Sequence, residues 1–333
     1  MGRLVATDEA EVMQISNSEI QCYKMCKRKW WLTYYRHLVP IREESHGPRT
    51  IGNRVHGAVA HYYTAQATCE DAQQQAIDLH DWAVALDIDK FPEDESEIRK
   101  EADLSRAMLE GYFEWLAETG ADEGMTVVGV EEEVEKTIIT PWTKTPVRIR
   151  AKLDLRVSQK HPLGVGHAPQ TMFLDHKTVQ EFTTPTRTLH LDEQMLLYDW
   201  LLRWFELPGG VVNGAIYNML RKVKRSRQAK PPFYERFTVR HTKQELRSFH
   251  ARLMGELEDI IQTRKRLDLV PGGESVVHIV YPTPTRNCSW ACDFFPVCNL
   301  IDRPDDKPDQ MIARLYQEGD PYKRYDGSGG TLD

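Results

Sequence analysis

Ile149-Arg150-Ala151-Lys152-Leu153-Asp154-Leu155-Arg156-Val157 and Met172-Phe173-Leu174-Asp175-His176-Lys177-Thr178-Val179 are the most informative segments of the chain. Both are rich in β-branched and aliphatic residues with polar positions between them, so each reads as a strand. Asp175 follows Asp154 by twenty-one residues. Strand alternation puts Asp175 and Lys177 on one face and His176 on the other, so two carboxylates and a lysine can converge. That combination suits phosphodiester hydrolysis: hard divalent cations take carboxylate oxygens, lower the pKa of bound water and neutralise charge developing on phosphate. Lys177 would orient or activate the attacking water, or stabilise the transition state. A D-x-K tripeptide by itself is weak support, because charged residues are common on exposed strand faces.

The neighbouring segments extend this pattern in both directions. Residues 126–139 (TVVGVEEEVEKTII) read as a preceding strand, where Glu131 offers a third carboxylate. Glu132 and Glu133 adjoin it, and spacing leaves open which of the three points inward. A Gly/Pro/His-rich connection fills 158–170. Residues 189–206 return to helix, with Gln194 and Tyr198 four apart on one face; 211–220 read as a strand and 243–266 as a long amphipathic helix. Upstream, Ser18 is the expected N-cap of a first helix carrying Ile20, Tyr23, Trp30, Trp31 and Tyr34. Gly52 to about Tyr63 and 94–118 give two more helices. The expected core order is helices, three strands, helix, strand, helix.

The formal net charge of −7 argues against a protein that coats nucleic acid, though not against a nuclease with an acidic site. Cations do cluster in Arg221, Lys222, Lys224, Arg225, Arg227 and Lys230, with no anion among them. That stretch reads either as a contact to DNA phosphates or as a solvated loop. The 41% hydrophobic content supports a substantial core, and no apolar run approaches the roughly 20 residues that cross a bilayer. The opening MGRLVATDEAEVMQIS lacks the features of a secretory signal, and Ala6 breaks the lipid-attachment pattern. A soluble, cytoplasmic protein that does not meet a membrane is expected. Six cysteines are present: Cys22, Cys26, Cys69, Cys288, Cys292 and Cys298. In a reducing compartment the clustered ones suggest metal or cluster ligation, and Cys69 reads as a plain buried thiol.

In ordered motifs the chain resembles the RecB-type exonucleases of the PD-(D/E)XK superfamily, which include CRISPR-adaptation nucleases and many phage exonucleases. Gly52-Asn53-Arg54-Val55-His56 matches the G-x-x-x-H helix whose histidine binds metal in that family, with His61 a nearby rival. Glu131 matches the early glutamate, Asp154 the first metal-binding aspartate, Asp175 and Lys177 the D-x-K, and Gln194 with Tyr198 the Q-x-x-x-Y that contacts DNA or supports the site. The match runs from about residue 16 to 300. Relatives often hold a 4Fe-4S cluster by one cysteine before the core and three after it, which implies Cys26, Cys288, Cys292 and Cys298 here. Lys27 stands where a proline often follows the first cysteine, and three residues separate Cys288 from Cys292 where bacterial relatives have two, a phage-type variation. Zinc on the same four thiolates is the alternative, and Cys22, one helical turn away, is an alternative ligand to Cys26.

The resemblance implies an α/β, restriction-endonuclease-like PD-(D/E)XK core: a mixed central sheet flanked by helices, with a helical N-terminal region and a C-terminal iron–sulfur clasp. Residues 1–301 would be one nuclease domain: 16–120 helical with the first cluster cysteine, 126–220 the catalytic core, and 221–301 the basic segment, a helix and the cysteines. Residues 302–333 would be a polar, disordered tail. The implied cofactors are one or two Mg or Mn ions, held by His56, Asp154 and Asp175, and the cluster. The implied activity is exonucleolytic hydrolysis of single-stranded or frayed DNA, in the host cytoplasm if phage-encoded. Recombination or CRISPR-adaptation proteins are the implied partners. The alternatives are a non-catalytic nucleic-acid-binding adaptor that keeps a structural four-cysteine iron–sulfur or zinc site, and a CRISPR-adaptation processing nuclease.

Overall fold

The computed structural model describes residues 12–160, 168–204, 212–272 and 274–323. The end of the helix expected to reach 206, the start of the strand expected from 211, part of the 158–170 connection and the Gly-rich end of the tail lie outside the described residues. In chain order the elements are β1 (Met13–Ser16), α1 (Asn17–Met25), α2 (Lys27–Trp30), β2 (Leu38–Pro40), α3 (Pro48–Ala65), α4 (Ala72–Lys90), α5 (Glu95–Thr119), β3 (Met125–Ile139), β4 (Pro146–Gln159) and β5 (Gln170–Val179). There follow α6 (Thr183–Thr188), α7 (Glu193–Trp204), β6 (Val212–Arg221), β7 (Tyr234–Val239), α8 (Lys243–Asp268), α9 (Cys288–Ala291), α10 (Phe295–Cys298), α11 (Pro308–Leu315) and β8 (Tyr316–Glu318). The described residues divide into two compact units, one drawn from 12–41, 135–151 and 248–323, the other from 42–134 and 152–247.

The unit around Arg42–Val134 and Lys152–Arg247 holds a mixed sheet. β4 and β5 are antiparallel, β5 and β6 parallel, and β6 and β7 antiparallel. One of its apolar layers joins Ile51, Val55, Val59 and Tyr63 of α3 and Met108, Leu109 and Tyr112 of α5 with Leu155, Val157, Leu174, Ile216 and Leu220 of the strands. The register of β6 against β5 slips by one residue between Thr171/Phe173, a β-bulge. Gly214 lies in the bulged stretch with φ +152, and a Cβ there would come 2.6 Å from Val239 O, so the sharp turn and the close approach of β7 both require glycine. β7 is a strand the sequence pattern does not announce, and α4 is a helix it does not announce.

In the other unit β1 runs parallel to the first residues of β4, Met13 opposite Val147, and β2 pairs antiparallel with β8. The N-cap of α1 is Ser16 rather than Ser18: Ser16 is extended (φ −122, ψ 163) and its side chain accepts from Glu19 N at 3.3 Å. Glu19 is fully buried and accepts from Trp30 Nε1 and Arg264 Nη2, both at 2.9 Å. The expected disordered tail is corrected over its described part: α11 and β8 occupy it, and Ile312 and Tyr316 pack with Leu32, Phe294 and Val297. Those five side chains form a small core of their own, sufficient to order a segment whose composition is otherwise polar. Cys69 is half-buried, not buried, because it lies in the α3–α4 connection.

Candidate active site

The β4–β5 ladder runs from Gln159↔Gln170 to Leu155↔Leu174, and at the next position a side chain takes over. Asp154 Oδ2 accepts from the backbone N–H of His176 at 2.8 Å. Asp154 is thereby held on the neighbouring strand next to Asp175, which is 2% exposed. Lys177 Nζ lies 2.8 Å from Asp175 Oδ2 and donates to Gln194 Oε1 at 2.8 Å. Gln194 Nε2 donates to Asp175 Oδ1 at 3.1 Å and to Tyr198 OH at 2.9 Å. α7 delivers Gln194 and Tyr198, and its start is capped by Asp192, whose Oδ1 accepts from Gln194 N and Met195 N at 2.9 and 3.2 Å. From α3, His56 Nδ1 lies 3.4 Å from Asp154 Oδ2. Gly52, one turn earlier, lets α3 approach β5: a Cβ there would be 3.4 Å from Thr178 Oγ1.

Glu131 is a left-handed residue within a strand (φ 53), a conformation that strains a non-glycine residue and breaks the alternation of β3. It pairs with Lys152 Nζ at 2.8 Å, while Glu132 is held bidentately by Arg156. Glu131 is also the member of the triplet whose charge acts on Asp154 and His56, although it makes no hydrogen bond with them. Of the residues expected from sequence, His56, Asp154, Asp175, Lys177, Gln194 and Tyr198 are thus brought together, and Glu131 stands at the border. Tyr198 is 6% exposed and packs edge-on against Phe173 at 5.8 Å, which suits support of Gln194 better than direct DNA contact.

Burial, and then the Asp175 charge, push the Asp154 carboxyl well above the usual range. Burial lowers His56 and lowers His176 much further, so both imidazoles are neutral. Burial would lower Lys177 too, but the Asp175 carboxylate outweighs it and keeps the ammonium charged. Asp175 Oδ2 is buried and, despite the nearby ammonium, accepts no well-directed hydrogen bond. Two crowded carboxylates with an under-satisfied oxygen and a neutral imidazole are a donor set that fits a hard divalent cation. Among the described residues, no three His, Cys, Asp or Glu side chains already form a metal-holding group.

Sequence reasoning missed what lies behind β5. His176, Asn218 and Arg236 form a buried hydrogen-bonded chain there. One signal was legible: Asn218 interrupts the otherwise apolar AIYNML of β6.

In the other unit, Cys26, Cys288, Cys292 and Cys298 line one cavity of about 540 Å³. Cys22 is 8% exposed, its thiol pushed up to about 12 by burial, and it is not among the lining residues. Thr285 N–H donates to Cys288 Sγ at 3.2 Å and lowers that thiol's pKa. Burial raises Cys292 and Cys298. Four thiols on one cavity are the ligand type that a four-cysteine cluster or zinc takes, but among the described residues no three of them are grouped closely enough to hold a metal.

The basic stretch joins β6 to β7. Arg225 pairs with Glu114 at 3.0 Å and donates to Gly111 O at 2.8 Å, Lys224 lies 3.7 Å from Asp103, and Arg221 donates to Lys230 O at 2.9 Å. Arg227 is exposed and Lys222 half-buried.

A central mixed sheet flanked by helices, with paired carboxylates and a lysine where two strands part, is the architecture of a nuclease. The family model of the PD-(D/E)XK nuclease superfamily matches residues 14–299. The chain belongs to that superfamily, and so to a class of metal-dependent nucleases that act on DNA and typically use Mg or Mn. No curated protein matches the chain. Among solved structures, the crystal structure of SSO0001 is similar at 13% identity and TM-score 0.30, covering 63% of this chain and 80% of that one. No helix among the described residues is long and apolar enough to cross a membrane.

Proposed function

We propose that this protein is a RecB-type DNA exonuclease, of the kind found in phages, that hydrolyses single-stranded or frayed ends with Mg or Mn and carries a structural 4Fe-4S cluster. The observation that carries the reading is the meeting of Asp154, Asp175, Lys177 and Gln194 where the β4–β5 ladder gives way. His56, Asp154 and Asp175 would hold the metal, which when bound supplies an activated water and charge neutralisation at the phosphate. Lys177 stays charged beside Asp175 and offers its ammonium to the attacking water or the developing negative charge. Gln194 orients both Lys177 and Asp175, and Tyr198 orients Gln194. Lys222, Lys224 and Arg227, with Arg221 and Arg225, would contact backbone phosphates. Cys26, Cys288, Cys292 and Cys298 would hold the cluster, and their common cavity favours Cys26 over Cys22.

The test is digestion of end-labelled DNA in Mn by wild type, Asp154→Ala, Asp175→Ala and Lys177→Ala. Each substitution is expected to cut turnover about a hundredfold or more. Both aspartate variants should bind Mn more weakly, whereas Lys177→Ala should bind it equally or better and keep its DNA affinity in Ca. Wild-type degradation by all three would replace this reading with that of a DNA-binding adaptor.

A further inference from the structure

His176 stands between the two residues that the proposed chemistry uses, yet its imidazole faces the other side of β5, where it is 2% exposed. Arg236 Nε donates to Asn218 Oδ1 at 3.0 Å, which fixes the orientation of that amide. Asn218 Nδ2 then donates to His176 Nδ1 at 2.7 Å and to Tyr112 OH at 2.9 Å. Arg236 also donates to Tyr63 OH and Tyr112 OH at 3.0 and 3.1 Å and pairs with Asp122 at 2.7 Å. The Tyr63 ring stacks on His176 at 5.7 Å and 22°. Stacked on one face and bonded at Nδ1, the His176 ring cannot turn without breaking a buried polar network, and such networks are costly to leave half-satisfied.

The ring held in this way meets His56 edge to face, with centroids 6.0 Å apart at 87°. With Nδ1 accepting, the proton of the neutral ring sits on Nε2, which is buried without a hydrogen-bond partner. Meanwhile the backbone N–H of the same residue holds Asp154 Oδ2 at 2.8 Å. One residue therefore addresses both groups of the His56–Asp154 pair, from its main chain and from its side chain.

We propose that His176 is a positioning residue for His56: its immobilised ring limits rotation of the His56 imidazole and keeps Nδ1 turned toward the Asp154 carboxylate. The inference rests on the proposed reading of His56 as a metal ligand. His176 itself touches neither metal nor DNA in this role. Partners that orient a ligating histidine typically change metal affinity or activity by about 10- to 100-fold when removed.

His176→Asn keeps the backbone donor and an acceptor near the Nδ1 position but removes the ring. Calorimetric Mn binding should weaken roughly 10- to 100-fold, kcat should fall at low Mn and recover as Mn is raised, and KM for DNA should stay unchanged. Tyr63→Leu, which removes the stack together with the hydroxyl that accepts from Arg236 but leaves the Asn218–His176 hydrogen bond in place, should shift Mn affinity in the same direction by less, and it carries the test if His176→Asn does not fold. Unchanged Mn affinity in the folded variants overturns the inference. So does a loss of kcat that high Mn does not restore. His56→Ala separates the two levels: if Mn binding is unchanged there, the ligand reading itself falls; if it weakens there but not in His176→Asn or Tyr63→Leu, only the positioning role falls.

Discussion

Arg225 is tied to α5 through Glu114 and Gly111 O, and its guanidinium lies 5.1 Å from the centre of the Tyr234 ring. A Cβ on Gly111 would meet Tyr234 OH at 2.5 Å and Arg225 Nε at 3.0 Å, so this glycine makes room for the pair. Lys224 reaches only an exposed Asp103 at 3.7 Å, a contact of little energetic weight. The cations of the basic stretch should therefore separate in titrations. Lys224→Gln and Arg227→Gln should each lower the salt dependence of single-stranded DNA binding by about 0.7 log units per lost contact, with stability unchanged. Arg225→Gln should lower the urea midpoint as well, because it removes the guanidinium that bonds Gly111 O and lies over the Tyr234 ring. An unaltered slope in the first two variants would make the stretch a solvated loop. None of this division was legible in the sequence, where the six cations look alike. The Asp154, Asp175 and Lys177 positions were legible, because strand alternation and spacing are local rules. Behind β5, Asn218 and Arg236 lie 42 and 60 positions from His176, and no local rule links them.

β3, β4, β5, β6 and α8 were readable from their patterns to within a few residues. β1 escaped because four residues carry too little pattern, and α4 because alanines and glutamines obscure its apolar stripe. The bulge in β6 also escaped, since only the register reveals why Gly214 must be glycine. Gly214→Ala should destabilise the protein by about 2 kcal/mol or more, from the unfavourable φ and the collision with Val239 O; a urea midpoint within error of wild type would refute the argument. Between α4 and α5, His80 is 2% exposed and its Nε2 lies 2.7 Å from Ser105 Oγ. Burial, with help from Arg54 and Arg106, lowers its pKa from the usual 6.5 to about 4. A folded-state pKa below the unfolded one means the unfolded chain takes up the proton first. The stability that neutral His80 contributes is complete above pH 6.5 and is lost as pH falls toward about 4. His80→Gln should flatten the fall of stability across that window, and an unchanged slope would assign acid lability to other groups.

Taken whole, the molecule separates its two proposed centres: the carboxylates and lysine belong to one compact unit and the four cysteines to the other. The protein purified without oxygen should be brown with about four irons per chain, as a four-thiolate cubane implies; a colourless protein with one zinc would replace the cluster. Cys288→Ser, Cys292→Ser or Cys298→Ser should each lose colour and raise amide exchange in both the 12–41 and 274–323 segments, whereas Cys69→Ser should do neither. Restriction of the faster exchange to one segment would show that the cysteines do not link the two. Protein contacts already join them, since Arg28 is 1% exposed and donates to Cys298 O at 2.7 Å and to both carboxylate oxygens of Asp302.

The pairing of β2 with β8 sets a timetable for synthesis. Leu38 waits for Glu318 and Pro40 for Tyr316, so a ribosome adding roughly 5–20 residues per second leaves the first strand without its partner for about 14–56 seconds. The described residues of the unit with the sheet and the carboxylates are all made by Arg247. That unit can mature on the nascent chain, and the cysteine-bearing one closes only after Glu318 has been made. Slowed elongation past Arg247 should thus prolong the exposure of β2 and Leu32 to chaperones and proteases while leaving the earlier unit already folded.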